Sequence, residues 1–366
     1  MVKAAGAITT GNEWSPVVEG VMRAAAVPGL SVAVTDRDGH WSAGAFGHSD
    51  LATRTQATPA TRYRWFSMTK LVTATAARRL ADRGDLDLDA PIAEYLDEAP
   101  LGHPVSTRQL LTHTGGLANP LPVGWVHKAD SPAPDQAAFL RGLLGRRRIF
   151  APPGGRARYS NVGYLAAAEV IARVAQVPFT DHVRDVLLKP LGMNATGFEA
   201  PDDDAAVGYL NLPRPLHPLL RGLLPPGVWG ERHAGVRSLN PFLVDGAGYG
   251  GLVGPVTDAA RFLRLHLSDG LLDGVRILAP ETARDMRRLV ARGRQFDHAT
   301  AWFRDRRYGT GREHYLEHYG TGAGFWNVAR IYPERGIGVV VMTNGSRRFD
   351  VEAVMSRIAG TAHMLE

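Results

Sequence analysis

Cysteine is absent from the 366 residues of this chain, which excludes disulfide bonds and thiol catalysis. Long hydrophobic runs are absent as well. No run of about 18 or more uncharged apolar residues occurs, so a transmembrane helix is not expected. Residues 1–16 hold one lysine but lack the continuous apolar segment of a signal peptide. We therefore expect a cytoplasmic protein without a membrane partner.

Lysine is scarce, because four lysines stand against 38 arginines. The formal net charge of +6 would suit an anionic partner, but the arginines are scattered and their densest run is Arg146–Arg148. Such a short run is typical of a solvated helix end. With 45% hydrophobic and 21% charged residues, the composition is that of an ordinary globular protein. Nucleic acid is therefore not an expected partner.

Both ends of the chain carry strand patterns. Residues 29–36 alternate as a strand, and Asp38 with Gly39 supplies a hairpin turn before a second strand. Further strands are predicted between residues 298 and 344, followed by a closing helix at about 350–360.

The middle of the chain is mostly helical, with apolar residues spaced at i, i+3 and i+4. One of its helices opens with a capping box at Ser106 and Gln109. We therefore predict an α+β fold: an antiparallel sheet flanked by helices and built from both chain ends, with a largely helical domain inserted. The predicted boundaries are 1–66 and 245–366 for the sheet domain, 67–244 for the helical domain, and 201–244 for an irregular apolar segment within it.

The stretch YRWFSMTKLVTATAARRLADRGDLDL, residues 63–88, has the spacing of an amphipathic helix. Its first turn holds Ser67 and Lys70, although a cation is unfavourable at that end of the helix dipole. The S-x-x-K spacing places both side chains on one face, where lysine can take the proton that makes serine a nucleophile. Burial and the dipole would lower the lysine pKa toward that of a useful base. A serine N-cap followed by a solvated lysine is the structural alternative.

Two further segments carry side chains suited to the same chemistry. Tyr159 and Asn161 stand at the entry to a predicted helix. A tyrosine near a lysine can pass a proton to the leaving group, and an asparagine can orient the lysine or a substrate carbonyl. In HYGTGAGF, residues 318–325, His318 leads a strand edge, and glycines such as Gly320 allow a substrate backbone to approach closely. The N–H just beyond Gly320 can act as an oxyanion donor.

Two competing patterns are weaker. Tyr209 and Asn211 form a second Y-x-N, but they lie in the irregular segment with no helix start. His314 and His318 fit an H-x-x-E-H zinc signature, which needs a long helix. Aromatic alternation favours a strand here, on which the two histidines would lie about 13 Å apart. No metal site is therefore predicted.

Three other features exclude alternative enzyme classes or are structural. The glycine-rich GAGYGG at residues 246–251 lacks the strand–helix context of a dinucleotide site, and we interpret it as a bend beside the catalytic site. His113 is interpreted as a structural residue closing a helix. No G-x-S-x-G sequence occurs, which argues against an α/β-hydrolase. No cofactor is therefore predicted.

Residues 214–230 are unusually apolar for a loop. Packing beneath a long connection is the structural interpretation. The functional alternative is a cap over the cleft that favours apolar acyl or alcohol groups. Possible pocket-lining residues are Trp125, Leu219, Leu223 and Trp229.

The chain resembles the serine β-lactamase and penicillin-binding superfamily, specifically its class C-like branch. That branch contains class C β-lactamases, D-alanyl-D-alanine carboxypeptidases and family VIII esterases. The resemblance covers about residues 27–345 in the family's order. The matching stretches are PGLSVAVTDRDG, RWFSMTKLVTATAARRLADRGDLDLDAPIAEYL, LLTHTGGL, PPGGRARYSNVGYLAAAEVI, LLKPLGM, GGLVGPVTDAARFL and GFWNVARIYPERGIGVVVMTNG.

The resemblance implies a role for each matched residue. Ser67 would be the acylated nucleophile and Lys70 its base, with Tyr159 as proton shuttle and Asn161 as a polar positioner. The backbone N–H groups of Ser67 and Thr321 would form the oxyanion hole.

One motif departs from the family pattern. True β-lactamases carry Lys-Thr-Gly where this chain has His318-Tyr319-Gly320, the H-x-G form of many esterase-like members. A mostly neutral histidine binds a substrate carboxylate poorly at pH 7. The departure therefore weakens the β-lactamase and carboxypeptidase assignments.

The leading interpretation is a serine hydrolase that forms an acyl-enzyme on Ser67 and cleaves uncharged carboxylic esters with short acyl chains. The same machinery would also serve an acyltransferase, a D-amino-acid peptidase or amidase, or a weak β-lactamase. A non-catalytic penicillin-binding or sensory module is the alternative of a different class. The expected partner is a small ester or amide, and the sequence leaves the natural substrate and the oligomeric state open.

Overall fold

The computed structural model describes residues 14–97, 104–145, 151–199, 204–211, 222, 224–308 and 314–361. The described chain forms one large antiparallel sheet of nine strands, with helices on both faces and smaller sheets around the helical part. The strands are β1 Gly29–Asp36, β2 Trp41–Asp50, β3 Thr55–Gln56, β4 Tyr63–Arg64, β5 Val126–Lys128, β6 Tyr209–Leu210, β7 Trp229–His233, β8 Val236–Leu239, β9 Phe242–Val244, β10 Val253–Gly254, β11 Leu271–Leu272, β12 Val275–Arg276, β13 Ala291–Arg292, β14 Phe296–His298, β15 Phe303–Asp305, β16 Leu316–Gly322, β17 Phe325–Tyr332 and β18 Ile337–Thr343.

Ten α-helices fall within the described residues. They are α1 Ser15–Ala25, α2 Thr69–Asp82, α3 Thr107–Leu111, α4 Gln136–Gly145, α5 Asn161–Ala175, α6 Phe179–Val183, α7 Ala247–Gly250, α8 Val256–Leu267, α9 Pro280–Met286 and α10 Val351–Gly360. Short 3₁₀ turns cover Phe66–Met68, Ile92–Glu94, Pro226–Val228 and Arg306–Tyr308, and a π-helical turn, Arg184–Leu188, continues α6.

The large sheet is built from both ends of the chain, in the order β13-β14-β15-β16-β17-β18-β1-β2-β3. Its centre is apolar on both faces, because β18 is fully buried, contains three consecutive valines, and directs alternate residues to opposite sides. Val339 and Val341 pack with α1 and α10, whereas Val340 joins the main core on the other face. This confirms the predicted fold class, while the exact domain boundaries stay a prediction.

The segment at 201–244 was expected to be irregular, but its described part contains strands. β6, β8 and β7 form a three-stranded sheet, and β9 pairs with β5. Ala234 and Gly235 both adopt positive φ, at 48° and 88°, and close the turn between β7 and β8. The expectation of an irregular segment is therefore wrong here, because short strands with one tight turn leave little periodic signal. Leu219 and Leu223 lie outside the described residues.

The helix predicted for residues 63–88 is shorter than expected. Tyr63 and Arg64 form β4, which pairs with β10, and a 3₁₀ turn at Phe66–Met68 precedes α2. The helix itself runs from Thr69 to Asp82. Ser67 is therefore held in a turn between a strand and a helix.

No single helix among the described residues is long and apolar enough to cross a membrane. α5 and the segment Phe179–Leu188 satisfy such a test only as a pair bent by 77°.

Strand β16 lies against the turn that carries Ser67. A Cβ atom on Gly320 would stand 2.1 Å from the carbonyl oxygen of Trp65, and one on Gly322 would stand 2.1 Å from the Phe66 ring. Such distances are far inside van der Waals contact, so side chains at 320 and 322 would push the turn away. These glycines therefore allow β16 to pack closely against the turn that carries Ser67. The approach of a substrate backbone to Gly320 stays a prediction.

Gly320→Ala should therefore cost stability and activity together. We expect a loss of about 1–3 kcal/mol in the free energy of unfolding, the usual cost of overpacking, and a clear fall in kcat because the Ser67 turn must shift. Gly142→Ala is the matched control, since a Cβ there meets nothing within 4 Å and alanine favours the helix. Urea unfolding and ester turnover of both variants measure this. Wild-type values for Gly320→Ala would show that the turn does not depend on this contact.

Candidate active site

The backbone around Ser67 is tightly held and strained. Phe66 has φ of 44°, a left-handed conformation that is uncommon for an aromatic residue. The Trp65 N–H donates to Leu252 O at 2.8 Å, and the Trp65 indole donates to Gly254 O at 3.2 Å. These anchors fix the turn on β10, and the half-buried Ser67 follows directly. Strain of this kind is commonly found at functional sites.

Lys70 is fully buried and surrounded by three oxygen atoms. Its Nζ lies 2.8 Å from Asn161 Oδ1, 2.9 Å from the Tyr249 carbonyl oxygen and 3.1 Å from Ser67 Oγ. The first two oxygens can only accept hydrogen bonds, so they take the two N–H groups of a neutral amine. Its lone pair is then directed at the Ser67 hydroxyl, which is the arrangement of a general base.

Loss of hydration places the pKa of Lys70 well below its ordinary value. No carboxylate among the described residues counteracts this by stabilising the ammonium form. Desolvation disfavours the charged form of a lysine, so the amine is available as a base much closer to neutral pH than an exposed lysine.

Tyr159 completes the contacts of Ser67. Its phenol donates a hydrogen bond to Ser67 Oγ at 2.7 Å. Desolvation raises the pKa of Tyr159 above its ordinary value, which keeps its proton in place. Ser67 Oγ therefore accepts from Tyr159 while its own proton faces Lys70. The three groups form a continuous path for a proton.

The segment at the start of α5 positions the side chains of Tyr159 and Asn161 beside Ser67 and Lys70. Ser160 caps the helix by accepting from the Gly163 N–H at 3.1 Å, so its neighbours have fixed positions. The ring of His113 lies 4.5 Å from that of Tyr159, and its Nδ1 accepts from the Ser160 N–H at 3.2 Å. His113 is thus a buried structural support, consistent with its interpretation from sequence.

Tyr249 was not among the predicted site residues. It lies in the glycine-rich stretch 246–251, which does form a bend beside the site and contains α7. Besides its carbonyl, its ring centre lies 5.3 Å from Lys70 Nζ and 5.6 Å from the ring of Trp125. Gly246 has φ of 124° and lets the chain turn toward Lys70. The GAGYGG sequence predicted a bend beside the site. It could not predict that the Tyr249 carbonyl oxygen accepts from Lys70, because every residue type has a backbone carbonyl.

His318 is buried and neutral. Its Nδ1 lies 2.8 Å from the carbonyl oxygen of Tyr319. A carbonyl only accepts, so Nδ1 carries the proton and Nε2 presents a lone pair. Nε2 has no partner among the described residues, and desolvation, with Lys70 nearby, lowers the pKa of His318 to about 3. His318 therefore carries no positive charge at pH 7.

Strand alternation separates His318 from its neighbour. Tyr319 points to the opposite face, where its hydroxyl donates to Glu317 at 2.5 Å. β15 pairs with β16 at a single register position, Phe303 with Glu317, so the edge beyond it is unpaired within the described chain. Thr321 is exposed on that edge. The oxyanion-hole roles of its N–H and that of Ser67 stay predictions.

Of the predicted pocket residues that are described, Trp125 lies nearest the site. It is buried between Phe139 and Tyr249, whereas Trp229 starts β7 and is partly buried against the main core. Their contribution to a substrate pocket stays a prediction.

The competing patterns serve other purposes. Tyr209 is fully buried, and its hydroxyl donates to Asp50 at 2.9 Å and accepts from the Leu51 N–H at 2.7 Å. Residues 316–322 form a strand rather than the helix that the zinc signature requires, and Glu317 is paired with Arg330 at 2.8 Å.

Comparison with known proteins agrees with this geometry. The family model described as Beta-lactamase matches residues 14–361. Protein Rv1367c of Mycobacterium tuberculosis (strain ATCC 25618 / H37Rv) is 32% identical over 301 residues, which are 76% of this chain and 71% of that protein. Penicillin-binding protein 4 of Amycolatopsis lactamdurans is 27% identical over 334 residues, 87% of this chain and 81% of that protein.

Solved structures show the same fold. A D-amino acid amidase from Ochrobactrum anthropi SV3 superposes with a TM-score of 0.77 at 22% identity, covering 96% of this chain and 100% of that one. A penicillin-binding protein homologue from Pyrococcus abyssi superposes with a TM-score of 0.75 at 23% identity, covering 96% of this chain and 77% of that one. The chain belongs to the β-lactamase family, whose members are serine hydrolases with this fold, and the resemblance to the superfamily is confirmed.

Lys70 and Tyr159 should behave as one unit in kinetics. Lys70→Ala and Tyr159→Phe should each lower kcat by about 10²–10⁴-fold, and the double variant should be little worse, because either change already breaks the proton path. Tyr209→Phe is the matched control and should retain kcat. Steady-state rates of the four variants test this. Losses that multiply in the double variant would mean that the two residues act independently.

The pH dependence should report the lowered pKa of Lys70. Since the amine must be neutral to accept the Ser67 proton, kcat/KM should be level above the Lys70 pKa and fall as the pH drops through it, and desolvation should place that fall well below the ordinary lysine value. His318→Gln should leave the position of this fall unchanged, because His318 is already neutral there. A midpoint near 10.5, the ordinary lysine value, would contradict the assignment of a desolvated base.

Proposed function

We propose that the protein is an esterase, a serine hydrolase that forms an acyl-enzyme on Ser67 and acts on uncharged carboxylic esters with short acyl chains. The contact of Ser67 Oγ with both the Lys70 amine and the Tyr159 phenol supports the acylation chemistry. The burial of His318, which lowers its pKa by desolvation, and the contact of its Nδ1 with the Tyr319 carbonyl oxygen support the choice of an uncharged substrate.

The proposed reaction begins when Lys70 takes the Ser67 proton and Oγ attacks the ester carbonyl. The backbone N–H groups of Ser67 and Thr321 stabilise the oxyanion of the tetrahedral intermediate. Tyr159 gives its proton to the departing alcohol oxygen as the C–O bond breaks, and it is reprotonated from Lys70. A water molecule then attacks the acyl-enzyme, and the acid leaves with Ser67 restored.

His318 makes a carboxylate-bearing substrate unfavourable. A lysine at this position would offer a permanent charge, and a hydrogen bond to a charged group contributes about 1.5–3 kcal/mol. His318 uses its one N–H in the hydrogen bond to the Tyr319 carbonyl oxygen, and its Nε2 is buried with no partner among the described residues. It therefore offers a carboxylate neither a charge nor a free N–H group. Each 1.4 kcal/mol corresponds to about a tenfold change in rate or affinity. The loss of a charge-assisted hydrogen bond to the substrate carboxylate is therefore large enough to determine specificity.

The same machinery also suits amides and β-lactams. The relatives include a protein named as a penicillin-binding protein and a structure titled as a D-amino acid amidase, so an amidase, D-amino-acid peptidase, acyltransferase or weak β-lactamase is the alternative. Tyr159 argues against a module that only binds, because a binder has no need of a proton path.

We expect wild-type enzyme to show a higher kcat/KM for p-nitrophenyl butyrate than for nitrocefin. Nitrocefin carries the carboxylate that His318 cannot bind, whereas the butyrate ester carries no charge. Ser67→Ala is the control and should lose both ester turnover and labelling by a fluorophosphonate probe. Intact-mass spectrometry should find the acyl group on the peptide that contains Ser67.

A nitrocefin value equal to or above the ester value would contradict the esterase proposal and favour a β-lactamase. His318→Lys should shift the ratio toward nitrocefin. Tyr319 does not stand in the way of that new side chain, since it points to the other face of β16.

A further inference from the structure

Arg64 is a buried cation without an anion. Four lysine or arginine side chains in the described chain are less than a tenth exposed: Arg64 at 6%, Lys70 at 0%, Arg78 at 7% and Arg330 at 0%. Arg78 and Arg330 form ion pairs with carboxylates at 3.0 and 2.8 Å, and Lys70 belongs to the catalytic contacts. Arg64 is the exception that needs an explanation, because buried charges are normally paired.

The surroundings of Arg64 are aromatic. Its guanidinium carbon lies 3.8 Å from the centre of the Phe242 ring. Among the described residues, neither a hydrogen-bond acceptor nor a carboxylate meets this guanidinium, and desolvation alone lowers the pKa of Arg64 to about 9. Because 9 is above neutral pH, the side chain stays protonated and its charge remains uncompensated.

The contact with Phe242 offsets part of the cost of burial. It satisfies none of the N–H donors, which lie in the guanidinium plane in a fork that fits an anion. We propose that Arg64, seated on Phe242, is a binding site for one small anion of the halide or carboxylate class.

The position of the site links it to catalysis. Arg64 stands three residues before Ser67, and its backbone is fixed because its carbonyl accepts from Asn327 Nδ2 at 2.7 Å. Phe242 lies in β9, which leads directly into the bend whose Tyr249 carbonyl holds Lys70. An anion on Arg64 would neutralise a buried charge that stands three residues before Ser67. Bound anion should therefore stabilise the fold.

The anion has two possible sources: the solution, or a carboxylate that the substrate carries at a distance from the scissile bond. In the second case the substrate would be a charged ester rather than the uncharged ester proposed above. The inference goes beyond the proposed esterase activity and does not depend on it, since binding to folded protein can be measured without turnover. A failure of the esterase assay would leave the binding result unchanged.

The first measurement is thermal unfolding at constant ionic strength while chloride replaces the bulky sulfonate MES. Wild-type protein should show a saturable rise in Tm, because a ligand that binds only the folded state stabilises it. Arg64→Met should lose this rise. Arg64→Lys keeps the positive charge but lacks the forked N–H groups, so it should need a higher chloride concentration for the same rise in Tm. This variant replaces Arg64→Met in the test if the methionine variant does not fold. Arg23→Met is the matched control on an exposed arginine, with 73% side-chain exposure, and should respond like wild type.

Two further measurements identify the source and can overturn the proposal. Wild-type crystals soaked in bromide should show an anomalous peak at the Arg64 guanidinium. p-Nitrophenyl hemisuccinate should be compared with the butyrate ester; a preference for hemisuccinate that chloride inhibits and Arg64→Lys reduces would assign the site to a substrate carboxylate. The absence of a saturable Tm rise, of a bromide peak and of that preference together would overturn the anion site.

Discussion

The amine of Lys70, withdrawn from water and held by two carbonyl-type oxygens, is the interaction on which the rest of the site depends. It has three contacts because three separate parts of the chain meet there: the turn before α2, the start of α5 and the bend at residues 246–251. Each part supplies one oxygen atom. Loss of any one would leave a buried polar group unsatisfied, which costs about 1–3 kcal/mol, so the arrangement is also a constraint on how the helical part packs against the sheet.

The protein keeps this site at the expense of local stability. Phe66 adopts a left-handed conformation, β16 approaches the turn so closely that glycine is needed at 320 and 322, and Lys70 is buried without a counter-charge. All three features disfavour the folded state by themselves. The central strands offset them, since β1, β17 and β18 are buried on both faces and each fully buried aliphatic side chain contributes about 1.5–3 kcal/mol.

Charge in and around the cleft is arranged to keep the reacting groups neutral. His113 and His318 have pKa values lowered by burial, and a neutral histidine on β16 cannot draw a carboxylate toward Ser67. Arg64, three residues before Ser67, carries a charge with no carboxylate partner among the described residues, and its guanidinium lies on the Phe242 ring. If an anion binds Arg64, the protein has an uncharged reaction centre at Ser67 and a separate anion site. Substitutions could then change the proposed ester specificity and the anion dependence independently.

The sequence by itself determined the fold class and predicted the side chains of the candidate site. Alternation of apolar and polar residues at both chain ends predicted the sheet. The motifs that contain Ser67, Lys70, Tyr159 and Asn161 could be recognised because each of these side chains has a distinct chemical function. The tertiary structure decided the rest: the strands within 201–244, the carbonyl of Tyr249 as an acceptor for Lys70, the packing of Gly320 against the Ser67 turn, the tautomer of His318 and the lack of a counter-ion at Arg64. These depend on backbone atoms, on burial and on contacts between distant segments, and residue type encodes none of them until the chain has folded.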